Sequence, residues 1–250
     1  MEVVLSIAGS DPSGGAGIQQ DLKVITAHGC YGATVITALT SQNTLGVQAS
    51  MPVPKAVVAS QLHAVLSDLQ PAAIKIGMIP DKAVAEAIVE ALSQVDVPVV
   101  YDPVMISTSG YTLMQPEAID YIADALFPLC TLVTPNLPEA ERLKKQVDSR
   151  CCAFLVKGGH ADDTLMTDRL LMPDGRIYEY TTEKIKSANL HGTGCTLSSA
   201  IASNLALGYQ LPDAVGQAKK FITEAIRRSV SISVGHGNGP LFLTCSDRGC

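Results

Sequence analysis

The segment His191-Gly192-Thr193-Gly194-Cys195-Thr196 stands directly before an apolar helical run. Its two glycines let the backbone turn tightly, and the first amides of the helix that follows have no partners within it. Those amides and the helix dipole make a seat for a phosphate oxyanion. A thiol at the same helix start is expected to have a depressed pKa, which makes Cys195 a candidate base or nucleophile. A glycine turn beside a structural cysteine is the plainer reading of the same residues.

Four further clusters could serve the same chemistry. Asp102-Pro103 follows an apolar run, and a carboxylate there could help hold Mg²⁺ through water; a turn cap is the alternative. In Asn136-Leu137-Pro138-Glu139 the proline fixes entry to a helix. Glu139 can then point back to a metal or serve as an ordinary first-turn acid. Lys157-Gly158-Gly159-His160 offers an ammonium for nucleotide phosphates, or a lysine snorkelling from a strand end. The run Gly9–Asp21 is rich in glycine but matches neither GxxxxGK[ST] nor GxGxxG, so it is no Walker loop and no dinucleotide fingerprint. His160 and His191 are expected to make turn hydrogen bonds, since no zinc-like cluster surrounds them. Cys151 and Cys152 are neighbours that would face opposite ways on a strand, which argues against a shared metal. Together the clusters supply an anion seat, two carboxylates, a lysine and a thiol, a set suited to phosphoryl transfer.

The elements that must position these groups alternate in kind. Strands are expected at Val3–Ala8, Ala33–Leu39, Ala73–Ile76, Val97–Tyr101, Thr131–Thr134 and Ala153–Val156. A hairpin at Leu170–Leu171 and Ile177–Tyr180 turns on Pro173-Asp174-Gly175. Helices are expected at Ala16–His28, Lys55–Leu69, after an Asp81 N-cap, at Pro116–Leu126, Thr193–Leu207 and Pro212–Val230. Lys55–Leu69 should pack Val57, Val58, Leu62, Val65, Leu66 and Leu69 on one face. Between Glu139 and Lys157 there is room for about one helix, at Glu141–Val147. Strands joined by single helices imply right-handed crossovers, a mostly parallel sheet and a ligand crevice at the carboxyl ends of the strands. That rule selects the residues after the strands: Gly9–Gly17, Gln42, Gly77-Met78, Asp102, Asn136–Glu139 and Lys157.

The 250 residues suffice for one α/β domain, residues 1–250, with no repeat or linker. A hydrophobic share of 47% with 17% charged residues is that of a well-buried globular chain. A net charge of −6 argues against nucleic acid or an anionic membrane as the main partner. The start carries no signal-peptide pattern and no stretch is long and apolar enough to span a bilayer. Seven cysteines without a CxxC pair fit reduced thiols in the cytoplasm.

AGSDPSGGAGIQQD, VITALTSQNT, KIGM, DPVM, TPNLPEA, KGGH, NLHGTGCTLSSAIA and VGHGNGP follow one another from about residue 8 to residue 240. In type and order they resemble hydroxymethylpyrimidine/phosphomethylpyrimidine kinases of thiamine biosynthesis. GTGC, in place of the GTGD of ribokinase-like sugar kinases, is similar to the vitamin-kinase branch. The resemblance implies a ribokinase-like three-layer α/β/α sandwich and ATP-dependent phosphorylation of 4-amino-5-hydroxymethyl-2-methylpyrimidine and then of its monophosphate. It implies that Gly9, Asp21, Gln42 and Met78 line the pyrimidine pocket, with Val104 closing over it. Asp21 and Gln42 would bind the ring nitrogen and exocyclic amine as a pair. Gly192, Thr193, Gly194 and Cys195 would form the anion hole, with Cys195 taking the hydroxyl proton. Asp102 and Glu139 would serve Mg²⁺, and Asn136 and Lys157 the nucleotide. The family also implies a homodimer. Against the family, the Glu139–Lys157 connection is short, and the tail from Thr244 to Cys250 matches nothing recognisable.

Three other functions are consistent with parts of this pattern. A pyridoxal kinase of the same branch would phosphorylate a similar hydroxymethyl group, but the flap candidate Met105–Thr112 lacks the second cysteine some of them carry. A binding protein on a degenerate kinase fold would be expected to have lost Cys195, Asp102 or Glu139. A cysteine hydrolase would need a base aimed at Cys195, which His191 or His160 does not obviously supply.

Overall fold

The structure is a computed structural model that describes residues 1–107, 109–158 and 164–243. His160 and the tail from Thr244 lie outside the described residues.

In chain order the elements are β1 (Val3–Ser10), α1 (Gly17–Ala27), β2 (Tyr31–Asn43), β3 (Gly46–Pro52), α2 (Lys55–Leu66) and β4 (Ala73–Ile76). Then come α3 (Lys82–Leu92), β5 (Val99–Tyr101), α4 (Pro116–Tyr121), β6 (Leu132–Val133), α5 (Leu137–Arg142) and α6 (Lys144–Ser149). The chain continues through β7 (Ala153–Val156), β8 (Leu165–Leu171), β9 (Ile177–Glu183), α7 (Thr193–Ala206) and α8 (Leu211–Ser229). The nine strands form one sheet in the order β3-β2-β1-β4-β5-β6-β7-β8-β9. The pairings from β2 through β7 are parallel, and β3, β8 and β9 add antiparallel edges.

Burial on both faces explains why the central strands read as continuous apolar runs. Alternate residues serve opposite layers. Leu5, Ile76, Tyr101, Val133 and Phe154 pack with Val58 and Leu62 of α2 and with α3 and α4. Val4, Val100, Leu132, Ala153 and Leu155 pack with α1, α7 and α8. The result is the expected α/β/α sandwich. β1 lies between β2 and β4, so the chain leaves it in opposite directions on the two sides, and a crevice opens at that switch point.

Several local expectations change. β3 was not foreseen: Gly46–Pro52 is a mostly exposed edge strand with little apolar alternation to announce it. Of the face proposed for α2, Val58 and Leu62 are fully buried, while Val57 is 48% exposed. Asp81 does cap α3, accepting from the Val84 amide at 2.9 Å. The helix expected at Pro116–Leu126 is α-helical only to Tyr121 and continues as a π-helical turn, Ile122–Leu126. The connection after Glu139 holds two short helices, α5 and α6, rather than one. They fit because Arg150 closes the second in the left-handed region, at φ 51°, and so returns the chain to β7 within few residues.

Candidate active site

A cavity of about 780 Å³ runs along the carboxyl ends of the central strands and brings together Gly9, Gln42, Met78, Asp102, Lys157 and Cys195. Val104, Asn136, Glu139 and Gly192–Gly194 line it too.

At its centre, Gly192 is the N-cap of α7, with φ 81°. A Cβ there would lie 1.9 Å from the Gly15 carbonyl oxygen, so the turn can pack against the glycine loop only as glycine. Thr193, Gly194 and Cys195 follow as the first helical residues; the Thr193 amide donates to the Leu190 carbonyl at 3.4 Å, and those of Gly194 and Cys195 stand at the helix end where intrahelical partners run out. The residues expected to form an anion hole thus stand at the start of a fourteen-residue helix, at the positive end of its dipole.

The Cys195 thiol is not depressed as the helix start alone suggested. Desolvation by the surrounding protein pushes it up to about 11, with the negative charges of Asp21 and Asp102 adding to the rise. The ammonium of Lys75 and a backbone hydrogen bond with Gly17 oppose it. Lys75 is fully buried on the α1/α7 side of β4 and also lines the cavity. It donates to both oxygens of Asp21, at 2.9 and 2.7 Å. Ser6 Oγ and Ser199 Oγ donate to the same carboxylate at 2.6 and 2.8 Å. The expectation that Asp21 binds substrate is therefore corrected. The Asp21 carboxylate is taken by the buried lysine of the facing strand and does not line the cavity. Burial works against the Lys75 charge, but Asp21, Cys195 and Asp102 together hold its pKa above the ordinary lysine range.

Asp102 is 2% exposed at the end of β5. Its Oδ1 accepts from Lys157 Nζ at 2.8 Å and from Thr134 Oγ1 at 3.1 Å. Its Oδ2 faces the start of α7, 2.9 Å from where a Gly194 Cβ would stand. Burial works against the Lys157 ammonium as well, and the charges of Asp102 and Glu139 outweigh it. Asn136 and Glu139 form a capping box on α5: Asn136 Oδ1 accepts from the Glu139 amide, and Glu139 Oε2 from the Asn136 amide, both at 2.9 Å. Burial pushes Glu139 up to about 7, against the pull of Lys157 and with a push from Asp102.

Gly9 and Met78 meet closely in one part of the lining. Gly9 has no side chain where Met78 Sδ would stand 3.0 Å from a Cβ. Thr37 Oγ1 donates to the Met78 carbonyl at 2.6 Å and fixes that residue. Gln42 and Val104 belong to the same lining. Elsewhere in it Met166, Thr182, Ile222 and Ile226 form an apolar slot beside a buried pair, Lys219 Nζ to Asp168 Oδ2 at 2.6 Å. Sequence reading missed this slot. Its residues come from β8, β9 and α8 with no local motif; the one signal was a lysine on the apolar face of α8.

The phosphomethylpyrimidine kinase family model matches residues 11–242. The chain belongs to the phosphomethylpyrimidine kinase family. It is 42% identical to the hydroxymethylpyrimidine/phosphomethylpyrimidine kinase of Rhizobium meliloti over 96% of both chains. With the Escherichia coli enzyme of the same name it shares 41% identity over 95% of both. Among solved structures, phosphomethylpyrimidine kinase of Clostridium difficile is 42% identical, with a TM-score of 0.78 over 90% of this chain and all of that one. A pyridoxal kinase of Staphylococcus aureus in complex with ADP is 30% identical, with a TM-score of 0.88 over 99% of this chain and 95% of that one. These relationships establish the ribokinase-like fold.

Proposed function

We propose that this family member transfers the γ-phosphoryl group of ATP to the hydroxymethyl oxygen of 4-amino-5-hydroxymethyl-2-methylpyrimidine, and then a second phosphoryl group to the monophosphate. The observation that carries this reading is that Cys195 and the start of α7 line one cavity together with Gly9, Gln42, Met78, Asp102 and Lys157. The pyrimidine lies against Gly9, Gln42 and Met78 under Val104, and the nucleotide base lies between Met166, Thr182, Ile222 and Ile226. Phosphates then reach Lys157, with Asn136 supporting them through Glu139.

The hydroxymethyl oxygen attacks the γ-phosphorus in line, an O–P bond forms, the β–γ bridging bond breaks, and ADP leaves. The hydroxyl proton passes to the Cys195 thiolate. Because the thiol is held near 11, that thiolate is a minor form at neutral pH. The amides of Gly194 and Cys195 at the α7 start take up charge on the transferring group. Asp102 and Glu139 fit a magnesium site: both are buried carboxylates lining the cavity, and burial, with the Asp102 charge adding to it, raises Glu139. Magnesium bound there supplies charge neutralisation between the phosphates. No cluster of three or more ligating side chains exists among the described residues, in keeping with an ion that keeps water and phosphate ligands.

The same proposal includes a single domain, a cytoplasmic setting and a homodimer. Five described cysteines are free thiols, and no described helix is long and apolar enough to cross a membrane. Exposed Leu39, Leu45 and Met51 on the β2–β3 hairpin offer an apolar face for a second copy. Likeness to pyridoxal kinase supports pyridoxal as a second substrate. The test is Mg²⁺-dependent ATP consumption with hydroxymethylpyrimidine, its monophosphate, pyridoxal and ribose side by side, for wild type and Cys195→Ala. Turnover of the pyrimidine pair, with kcat reduced far more than affinity by Cys195→Ala, is expected. Unchanged kcat in that variant refutes the base, and preference for pyridoxal moves the chain to the sister activity.

A further inference from the structure

Gln42 sits in a chain of contacts that reaches back through His191 to Asp11. Asp11 is buried and accepts from Ser13 N and Oγ, Gly15 N and Ala16 N, at 2.7 to 3.2 Å. His191 Nε2 lies 2.8 Å from its Oδ2. Burial alone would raise the Asp11 carboxyl, but the bonds from His191 and Ser13 outweigh it and hold it below its usual range. Asp11 is therefore an acceptor only, and His191 Nε2 must carry a proton and donate it. The ring is seated against Gly15, where a Cβ would come within 2.3 Å of its Cδ2.

The Gln42 amide touches this system at one end and Thr40 at the other. Its nitrogen stands 3.2 Å from His191 Nε2, and its oxygen 3.2 Å from Thr40 Oγ1. That arrangement lacks a lone pair at His191, whose Nε2 is protonated. It also lacks a proton at Thr40, whose single hydroxyl hydrogen goes to the Ser10 carbonyl at 2.9 Å. A half-turn of the amide cures both faults. The nitrogen then donates to Thr40 Oγ1, and the oxygen shares the His191 proton. Two independent constraints demand the same orientation.

A primary amide has two donors and two acceptor sites. Thr40 takes one donor and His191 one acceptor, leaving one of each for the cavity in a fixed order. An aminopyrimidine edge presents an amine donor beside a ring-nitrogen acceptor, which pairs with that remainder and satisfies the amide completely. A 4-oxo-pyrimidine presents an acceptor beside an N–H donor, the reverse order. It could pair in the same pose only if the amide turned over and broke both anchors.

We propose that Asp11, His191 and Thr40 form a positioning relay that locks the Gln42 amide and so makes the site select a 4-amino over a 4-oxo pyrimidine. This rests on the reading of the Gly9, Gln42 and Met78 lining as the pyrimidine site. The experiment compares kcat/KM for 4-amino-5-hydroxymethyl-2-methylpyrimidine and its 4-oxo analogue in wild type, Thr40→Val, Thr40→Ser and His191→Phe. Wild type is expected to favour the amino compound strongly. Thr40→Val and His191→Phe should each shrink that preference roughly tenfold, the effect of freeing one anchoring hydrogen bond, mainly through KM for the pyrimidine. Thr40→Ser, which keeps the hydroxyl, should restore the preference. Equal loss on both substrates with the preference intact would mean that these residues serve only the fold, and the relay is wrong. Wild type that accepts both pyrimidines equally overturns the relay alone. Wild type that accepts neither overturns the pyrimidine-kinase reading and the relay with it. Thr40→Val leaves the His191–Asp11 contact in place, so it decides the matter even if His191→Phe fails to fold.

Discussion

Glu139→Gln should make the protein more stable and much less active. Glu139 is 7% exposed, and its carboxyl is lifted from an ordinary 4.5 to about 7. A folded-state pKa above the unfolded one means that ionisation costs stability. That cost is absent well below 4.5, grows as pH rises, and is complete above about 7. At about 1.4 kcal/mol per pH unit, the span between the two values corresponds to about 3 kcal/mol at pH 8. Glutamine keeps the capping-box geometry but gives up the favourable dipole term of a first-turn acid, at most about 1 kcal/mol. The expected net gain is about 2 kcal/mol at pH 8, falling to near zero at pH 5, in metal-free protein. Urea denaturation of wild type and variant at both pH values measures it. A gain that is absent at pH 8, or equal at the two pH values, refutes the argument that Glu139 is held in an uncompensated charged state. Steady-state turnover with Mg²⁺ should fall by roughly a hundredfold or more, the scale of losing one group aimed at the transferring phosphoryl charge.

Gly194→Ala puts a Cβ 2.9 Å from Asp102 Oδ2 at a helical position where alanine is otherwise preferred. Its thermal midpoint should stay near wild type while kcat/KM drops roughly a hundredfold, and an active variant would show that the Asp102–α7 spacing is not critical. Lys75→Met leaves Asp21 buried without its cation, so denaturation should report a loss of about 3–5 kcal/mol. Adding Asp21→Asn should return part of it, and no recovery in the double variant would mean that the two charges are not coupled. With Cys195 as the base and its thiol near 11, wild-type kcat should keep rising with pH above neutrality in a chemistry-limited assay. A flat profile between pH 7 and 9, with chemistry shown to limit the rate, argues against thiolate as the proton acceptor.

Much of this site was legible in the sequence because the parallel sheet reduces the problem to strand ends. Asp102, Asn136–Glu139 and Lys157 each follow an apolar run, and the crossover rule gathers such positions on one rim, while Gly192–Cys195 was marked by the apolar helical run it precedes. The structure places all of them along one cavity. Side-chain direction was not legible. Asp21 shares a helix with Ile18, Val24 and Ile25, and only the alternation of β4 shows that Lys75 faces it across the layer. The Cys195 pKa was misjudged for a related reason. A helix start is a local feature, whereas desolvation and the charges of Asp21 and Asp102 come from distant segments. The apolar slot beside Lys219 and Asp168 was missed because it is assembled from residues 51 positions apart that carry no shared pattern.

The pairing of buried charges also separates structure from function. Asp21 has Lys75, Asp102 has Lys157, Asp168 has Lys219, and Asp11 has His191, each within 2.8 Å. Such pairing is what burial requires, since an uncompensated carboxylate in the interior is costly. Among the described residues Glu139 is the buried carboxylate without a salt bridge. Lys157, the nearest cation acting on it, already contacts Asp102. A fold that sets a cation or a hydrogen-bonding imidazole against each of its other buried acids and leaves one beside the proposed phosphate path is poised for a cation that arrives with its substrate. Burial, with the Asp102 charge adding to it, keeps the Glu139 carboxyl raised until that cation is present. Mg·ATP binding should therefore take up positive charge and release protons from Glu139, and calorimetry in buffers of different ionisation enthalpy at pH 7 measures that release. Proton release in wild type and none in Glu139→Gln is the expected result; equal release in both would assign the protons to another group and remove Glu139 from the metal site.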